Sequence, residues 1–491
     1  MGPTRLEIDT LSLAALVRRI LRPISQRTPK CPQNQEPGAI VSLPLELIML
    51  IAEKLDAPSL ASFAAASALC LAAAHGELRA ALAALLAAVQ RCLTHCATFG
   101  AGPAIDNLVT CPYFRLPDDL VDLPAKAFMS STHLTHVLAL PSALTTIGEQ
   151  AFSESALRQL TLPADVNTID RNALTHTPPC RVSFPADLAT IGMHAFSCCR
   201  YLVNVDLSGA AALTAIGIGA FSGCRSLRQL ILPAAVTTIG GNAFAECASL
   251  TRVTLPTALT TIGGWAFYKC ASLVVASLPD GLTSIGREAF AYCASLALTS
   301  LPDGLTSIGW GAFADCSCLA LTNLPDGITS IDGCTFDSCA SLVLTSLPDG
   351  LTFIGQSAFA HCPLLALTNL PNGLTDIDKW GFAHCACLAL TSLPDGITSI
   401  DECTFEGCAS LALASLPGGL TSIGRSAFEE CTSLALTSLP DGLISIGNEA
   451  FYGCQKVNRR ARAQEKQDVL KRCITCFSLC CGLLFYLLLV P

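Results

Sequence analysis

The chain has 491 residues, of which 51% are hydrophobic and only 14% are charged, and its formal net charge is −9. A chain of this length and composition can bury a large core. Its acidic balance argues against nucleic acid as a partner.

Residues 1–40 are predicted to be a flexible N-terminal segment. Within it, residues 26–39 are rich in Pro, Gly and polar side chains, which cannot sustain a packed element. We recognise no secretory signal peptide, because Glu7 and Asp9 lie where such a peptide is basic. The expected location is therefore the cytoplasmic face, in a reducing compartment.

Residues 41–100 are predicted to form a small helical domain. Ser42 suits a helix N-cap and Pro44 a first turn, and the apolar residues that follow recur at helical spacing. The segment resembles the F-box, whose opening L-P-x-E-L-x-x-x-I-x-x-x-L-D-x-x-S-L it matches over about 20 residues. The resemblance implies docking onto the Skp-type adaptor of a cullin-RING ubiquitin ligase. The adaptor-binding residues that it implies are Leu43, Pro44, Glu46, Leu47, Ile51, Leu55 and Leu60.

A helical cap is the alternative for this domain, since a solenoid needs its first coil covered against solvent. Residues 101–120 are predicted to be a linker or the first cap.

Residues 121–457 form the repeat region, with about 14 repeats. A fixed period of this size predicts a solenoid, in which each repeat depends on its neighbours for a core. Short strands separated by Pro-Asp-Gly turns fit the apolar spacing better than helices do. The structural ladder that sets the 23-residue period consists of Phe221, Phe244, Phe267, Phe290, Phe313, Phe336, Phe359, Phe382, Phe405, Phe428 and Phe451.

The recurring sequence L-P-x-G-L-T-S-I-G-x-x-A-F-x-x-C-x-S-L resembles the BspA-type leucine-rich repeat. The resemblance implies a β-rich solenoid, a right-handed coil or arc that binds proteins or surface ligands and performs no chemistry. Two functions follow as hypotheses. The first is a recognition scaffold that acts as an F-box-type substrate adaptor, and the alternative is a BspA-like surface or adhesive protein without a ligase role.

The late repeats differ from the early ones in the segment after the cysteine, where S-L-x-x-L-x-L-P becomes S-L-A-L-T-S-L-P. If the register is kept, threonines turn inward and a column of leucines is exposed, which would mark a partner-binding face. If the strand instead slips by one residue, the leucines turn inward. The candidate face comprises Leu298, Ser300, Leu321, Asn323, Leu344, Ser346, Leu367, Asn369, Leu390 and Ser392.

Two further columns recur in the repeats. Aspartates such as Asp303 lie in the Pro-Asp-Gly turns, and turn chemistry explains them better than ion binding does, because calcium needs six to eight oxygens. Cysteines such as Cys293 lie three residues after each phenylalanine, and 27 cysteines occur in the whole chain. Buried free thiols are expected for this column, since stacked coils hold Cβ atoms wider apart than a disulfide prefers.

Residues 458–491 combine a basic flank with a hydrophobic segment, 474–490, of 17 uncharged residues. This length lies at the short end for crossing a bilayer, so a cytosol-facing membrane anchor is predicted. A cap over the last coil is the alternative.

No catalytic constellation is recognised, and the recurring Ile-Gly corners lack the Gly-Lys-Ser/Thr ending of a phosphate loop. His95, with Cys92 and Cys96 nearby, has too few partners for a zinc or nucleophilic role. We therefore predict a non-enzymatic protein without cofactor or metal, whose partner is a protein bound by the solenoid.

Overall fold

The fold is seen in a computed structural model of the chain, which describes residue 116 and residues 118–131, 140–179 and 181–457. The chain divides into two compact units, Met1–Pro185 and Ala186–Pro491. The described residues form short strands and turns and contain no helix. The predicted helical domain at 41–100 and the tail at 458–491 lie outside the described residues, so they remain predictions.

The first unit contains short parallel strands. They are β1 (Asp122–Leu123), β2 (Thr146–Ile147), β3 (Gln159–Thr161), β4 (Thr168–Ile169) and β5 (Arg181–Ser183). β1 pairs with β2 and β2 with β4, which aligns the buried side chains of Leu123, Ile147 and Ile169. β3 pairs with β5 in a second sheet.

The second unit contains two kinds of strand. The three-residue strands are β7 (Asn204–Asp206), β9 (Gln229–Ile231) and β11 (Arg252–Thr254). The two-residue strands are β6 (Thr190–Ile191), β8 (Ala215–Ile216), β10 (Thr238–Ile239), β12 (Thr261–Ile262), β13 (Ser284–Ile285), β14 (Ser307–Ile308), β15 (Ser330–Ile331), β16 (Phe353–Ile354), β17 (Asp376–Ile377), β18 (Ser399–Ile400), β19 (Ser422–Ile423) and β20 (Ser445–Ile446). Each two-residue strand ends in a buried isoleucine.

These strands pair in parallel with the corresponding strands of adjacent coils, as a solenoid requires. Ser284 pairs with Ser307 and Ile285 with Ile308, so an outward serine faces a serine and an inward isoleucine faces an isoleucine. A turn precedes each strand, and in one coil the Leu305 amide donates to the Pro302 carbonyl at 3.1 Å. This is the i to i+3 bond of a β-turn. The repeats therefore fold as the Pro-Asp-Gly and Thr-Ser-Ile segments predict.

The segment from the residue after isoleucine to the cysteine, such as Gly286–Cys293, is built from consecutive turns, and we call it the turn segment. Its amides alternate between two kinds of acceptor. Ala289 donates to Gly286 within its own coil at 3.2 Å, whereas Phe290 donates to Ala312 of the next coil at 2.8 Å. Two residues in it, Glu288 and Tyr292, have left-handed backbone with φ of 49° and 62°. Every second residue is thus tied to the neighbouring coil.

One phenylalanine from each coil of the second unit stacks face to face on its neighbours through the core. From Phe196 to Phe451 the ring centroids of neighbouring coils are 5.1–5.8 Å apart, with interplanar angles of 1–15°. Each of these rings is at most 2% exposed. Aromatic rings of this size contribute much of the buried apolar area of a core.

The cysteines form a second internal ladder. The thiol of Cys293 donates to the carbonyl of Phe267, in the preceding coil, at 3.1 Å, and the same contact recurs from Cys224 to Cys454 at 3.0–3.3 Å. Burial raises the pKa of the Cys247 and Cys293 thiols to about 12, which keeps them protonated donors. All the cysteines in the described residues are free thiols.

Candidate ligand-binding surfaces

The leucine column of the late repeats is buried. Leu298, Leu321, Leu344, Leu367 and Leu390 have no exposed surface, whereas the threonines that follow them, such as Thr299, are exposed. The exposed apolar stripe predicted for an unchanged register is therefore wrong, and the one-residue slip describes these coils. An inward threonine would bury a hydroxyl and expose a leucine, and both changes cost free energy.

The slip is visible at the junction between early and late coils. The three-residue strands pair 23 residues apart, as in Gln229 with Arg252. Arg252 then makes an isolated bridge with Val274, one position earlier in the next coil. Val274 is left 55% exposed. The described residues after 254 contain no three-residue strand, and bonds such as Ala320 amide to Leu298 carbonyl at 3.1 Å connect the coils instead.

The polar members of the predicted partner-binding face are exposed. They are Ser300, Asn323, Ser346, Asn369 and Ser392. The Thr322 hydroxyl donates to the Asn323 side chain at 3.2 Å, and Thr368 makes the same bond with Asn369 at 3.0 Å. This face repeats nearly the same side chains in each coil, so one position along it differs little from the next. Its role in partner binding remains a proposal.

The turn segments carry the side chains that differ from coil to coil. Two positions before Ala-Phe and two after it are occupied by Gly, Trp, Tyr and Lys in one coil, but by Gln, Ser, Ala and His in another. All three tryptophans of the chain, Trp265, Trp310 and Trp380, lie in these positions. The repeat pattern does not reveal this surface, because the residues at these positions do not recur. The confinement of tryptophan to the variable positions is the signal that would have revealed it.

An aromatic-basic cluster forms on three adjacent turn segments. It consists of Trp265, Tyr268, Lys269, Arg287, Tyr292 and Trp310. The Arg287 guanidinium carbon lies 4.4 Å from the Trp310 ring centroid and 5.5 Å from that of Trp265. The Lys269 ammonium lies 5.0 Å from the Tyr268 ring centroid and 5.7 Å from that of Tyr292. These distances lie within the range of cation–π attraction.

Electrostatic contacts fix the cluster further. The Nε atom of Arg287 lies 3.2 Å from a carboxylate oxygen of Glu288. The rings of Tyr268 and Tyr292 meet edge to face at 5.5 Å and 88°. The negative charge of Asp315 is the main cause that raises the pKa of Tyr292, with burial second. The cluster is thus a preformed surface with two cations held against aromatic rings.

A histidine row follows on the turn segments of later coils. The rings of His361 and His384 stack with centroids 5.0 Å apart. His361 Nδ1 lies 3.2 Å from an Asp337 carboxylate oxygen, and His384 Nε2 lies 3.8 Å from one of Glu406. Within the part of the chain that the structure describes, no three His, Cys, Asp or Glu side chains come together as a metal site.

The remaining predicted sites lie outside the described residues. These are the F-box-like residues Leu43, Pro44, Glu46, Leu47, Ile51, Leu55 and Leu60 and the hydrophobic segment 474–490. No helix in the described ranges has the length and apolar character needed to cross a membrane.

The parallel coils, the leucine core and the exposed turn segments define a leucine-rich-repeat solenoid. The BspA type leucine rich repeat region matches residues 107–221, 214–343 and 335–458. This chain therefore belongs to the BspA-type leucine-rich repeat family, as the recurring motif predicted.

Several solved structures are similar to this chain. A leucine-rich repeat protein from Bacteroides ovatus is 25% identical, with 70% of this chain and 76% of that protein covered and a TM-score of 0.47. A leucine rich cell surface protein from Faecalibacterium prausnitzii is 26% identical, covering 67% and 87%, with a TM-score of 0.40. A leucine rich repeat protein of T. pallidum is 36% identical over 31% of this chain and 72% of its own, with a TM-score of 0.29. Among curated proteins, none matches this chain.

Proposed function

We propose that this chain is a non-enzymatic scaffold for protein recognition, in which the turn segments of the solenoid bind the partner. The observation that carries the proposal is the contrast within each coil. The Phe and Cys ladders and the isoleucine strands recur almost unchanged, whereas the exposed turn positions vary. A rigid frame with variable exposed side chains suits recognition, because little conformational freedom is lost when a partner binds.

The variable turn surface can be tested by removing its variation. In a uniform variant, the corresponding residues of every turn segment from 264 to 430 are replaced by the sequence of Gln356–His361, which already forms a turn segment in this chain. The wild-type chain, immobilised in full, should retain proteins from an extract of the source organism that the uniform variant does not retain. Circular dichroism and thermal melting should show that the variant keeps its fold. Equal retention by both chains would contradict the proposal.

Of the two functional hypotheses, we place the BspA-like surface or adhesive protein first. The family match spans 107–458, whereas the F-box likeness covers about 20 residues outside the described part of the chain. The free thiols of the cysteine ladder do not conflict with a surface location, since they are buried and hydrogen-bonded. Labelling of intact cells with a membrane-impermeant amine reagent tests the location. Labelling only after lysis would contradict it.

The ligase-adaptor role is a separate proposal with its own test. Full-length chain should recover a Skp-type adaptor from the extract, and Leu47→Asp and Leu60→Asp should each abolish the recovery. Arg425→Gln, a substitution on an exposed turn segment, serves as the control. Recovery that both leucine variants retain would show that the F-box-like segment does not hold the adaptor.

A further inference from the structure

We propose that the aromatic-basic cluster binds an acidic peptide segment of the partner protein. Carboxylates of the segment pair with Arg287 and Lys269, and an apolar side chain packs against Trp310 and Tyr292. The inference rests on the proposed role in protein recognition and identifies the part of the turn surface that performs it.

The repeat does not need these side chains in order to fold. The position of Arg287, three residues before the ladder phenylalanine, is occupied by Gly264 in the preceding coil and by Gln356 and Arg425 in later ones. The position of Trp265 is occupied elsewhere by Ser357 and by glycine. The backbone bonds of the turn segment recur in all of these coils. The cluster therefore adds a surface feature to a frame that is complete without it.

The cluster keeps its hydrogen-bond donors open. The Arg287 side chain is 54% exposed, and Glu288 contacts its Nε atom. Since a guanidinium has five N–H donors, the terminal N–H groups remain for a second carboxylate. Lys269 is exposed as well, with its ammonium beside two tyrosines. Stacking on an aromatic face fixes the planar fork of an Arg side chain, whereas Lys adds a flexible point charge.

Charge decides which ligand fits. A cationic ligand is disfavoured, because Arg287 and Lys269 already contact the ring faces that would attract it. A neutral ligand would cover the Lys269 ammonium and the terminal N–H groups of Arg287 without pairing them, which costs free energy. A carboxylate pairs with them instead, and Arg binds carboxylates in bidentate geometry. The ligand is therefore anionic.

The exposed rings indicate that the anionic ligand is a peptide. Trp310 is 40% exposed and Tyr292 is 44% exposed. Trp, Tyr and Arg are the residues that contribute most to binding energy at protein interfaces, and here all three lie within adjacent coils. Their contacts with one another also hold them before binding, which lowers the entropy lost on association. Anionic glycans share the carboxylate chemistry and form the rival outcome of the test.

The experiment measures binding of the full chain to immobilised polymers by surface plasmon resonance. The probe is a random copolymer of Glu and Tyr, and the comparison polymers are a Lys–Tyr copolymer, polyglutamate and polysialic acid. We expect binding to Glu–Tyr, weaker binding to polyglutamate, and none to Lys–Tyr. Arg287→Gln and Trp310→Gln should each weaken Glu–Tyr binding about tenfold or more, as interface hot spots do.

The matched control is Arg425→Gln. Arg425 occupies the same coil position as Arg287, its side chain is 65% exposed, and Gln356 shows that glutamine fits there. This variant should bind the copolymer as the wild type does. An equal loss in both arginine variants would overturn the inference, because binding would then depend on overall charge.

Two other results would also overturn it. One is binding of polysialic acid, lost in Arg287→Gln, without binding of Glu–Tyr, which would assign the cluster to a glycan. The other is no binding of Glu–Tyr by the wild type. In either case the capture experiment with the uniform variant still decides separately whether the turn segments recognise proteins.

Discussion

The early coils, residues 199–256, and the late coils, residues 270–454, share the Phe and Cys ladders but differ in the segment after the cysteine. In the early coils the sixth residue after the cysteine points inward, as Val205 and Leu230 do, and β7, β9 and β11 pair as a sheet. In the late coils the fifth residue points inward, as Leu298 does, and this sheet ends. The same stack of rings therefore accommodates two backbone paths.

The difference shows which interactions determine the coil. A shift of one residue reverses the faces of a strand. Leucine at the fifth position can therefore be buried, and threonine at the sixth exposed, only if the backbone shifts by one residue. The late coils have this shifted backbone. In place of strand pairing they have longer backbone hydrogen bonds, such as the one from the Thr322 amide to the Thr299 carbonyl at 3.3 Å. Burial of the leucine thus outweighs regular strand pairing at this place.

Alkaline pH should have the largest effect and should affect early and late coils alike. An unfolded thiol has a pKa of about 8.5, whereas burial raises that of Cys247, in an early coil, and Cys293, in a late coil, to about 12. Between these values the unfolded chain has lost the proton that the folded chain keeps. The contribution of these thiols to stability should therefore be constant below about pH 8 and should fall as pH rises further, by up to about 1.4 kcal/mol per thiol and pH unit.

Urea denaturation between pH 7 and 10.5 measures this dependence, and hydrogen exchange shows where the chain opens. Cys247→Ala with Cys293→Ala should reduce the slope above pH 9, since two of the shifted thiols are gone. A urea midpoint that stays constant up to pH 10.5 would contradict the internal thiol ladder.

Four alanine substitutions test the register difference. In the late coil, Leu298→Ala should lower the free energy of unfolding by about 2–4 kcal/mol through the loss of a buried leucine, and Thr299→Ala should change it by less than about 0.5 kcal/mol. In the early coil the order is reversed. Leu230→Ala should be costly, and Gln229→Ala nearly neutral.

Urea midpoints and local hydrogen exchange of the four variants give the measurement. Each late residue has its early counterpart as control, because Leu298 and Gln229 both lie five residues after a cysteine. A large effect of Thr299→Ala together with a small effect of Leu298→Ala would restore the unslipped register.

Much of this fold could be predicted from the sequence, because the residues that build it repeat. The ring stack from Phe221 to Phe451 and the turn at Pro302 follow from period and turn chemistry. The slip at Leu298 could be stated only as one of two alternatives. The strand register of the early coils would expose this leucine, whereas its hydrophobic side chain favours burial. The cluster around Arg287 could not be predicted, because its contacts join positions whose residues do not recur, and only the fold shows that they are neighbours.

The smallest predicted effect concerns the left-handed backbone of the turn segments. Ser357 and Gly311 occupy the same position in different coils, two residues before the ladder phenylalanine, with φ of 54° and 61°. A residue with a side chain pays about 1–2 kcal/mol of strain in this conformation. Glycine avoids that strain, but its greater flexibility in the unfolded chain offsets about 0.5–1 kcal/mol of the gain. Ser357→Gly should therefore stabilise the chain by about 0.5–1 kcal/mol.

The reciprocal substitution, Gly311→Ser, should destabilise the chain by at least as much, because a Cβ there would lie 3.0 Å from the Glu288 side chain. Thermal melting of both variants provides the measurement, and Ser346→Gly, outside the turn segments on the polar face, is the control that should not stabilise. If Ser357→Gly and Ser346→Gly had equal effects, the left-handed conformation would cost nothing. Backbone strain would then not limit which residues occupy the variable turn positions. If Ser357→Gly stabilises the chain and Ser346→Gly does not, the exposed side chains at these positions reduce stability, as expected of a surface maintained for binding.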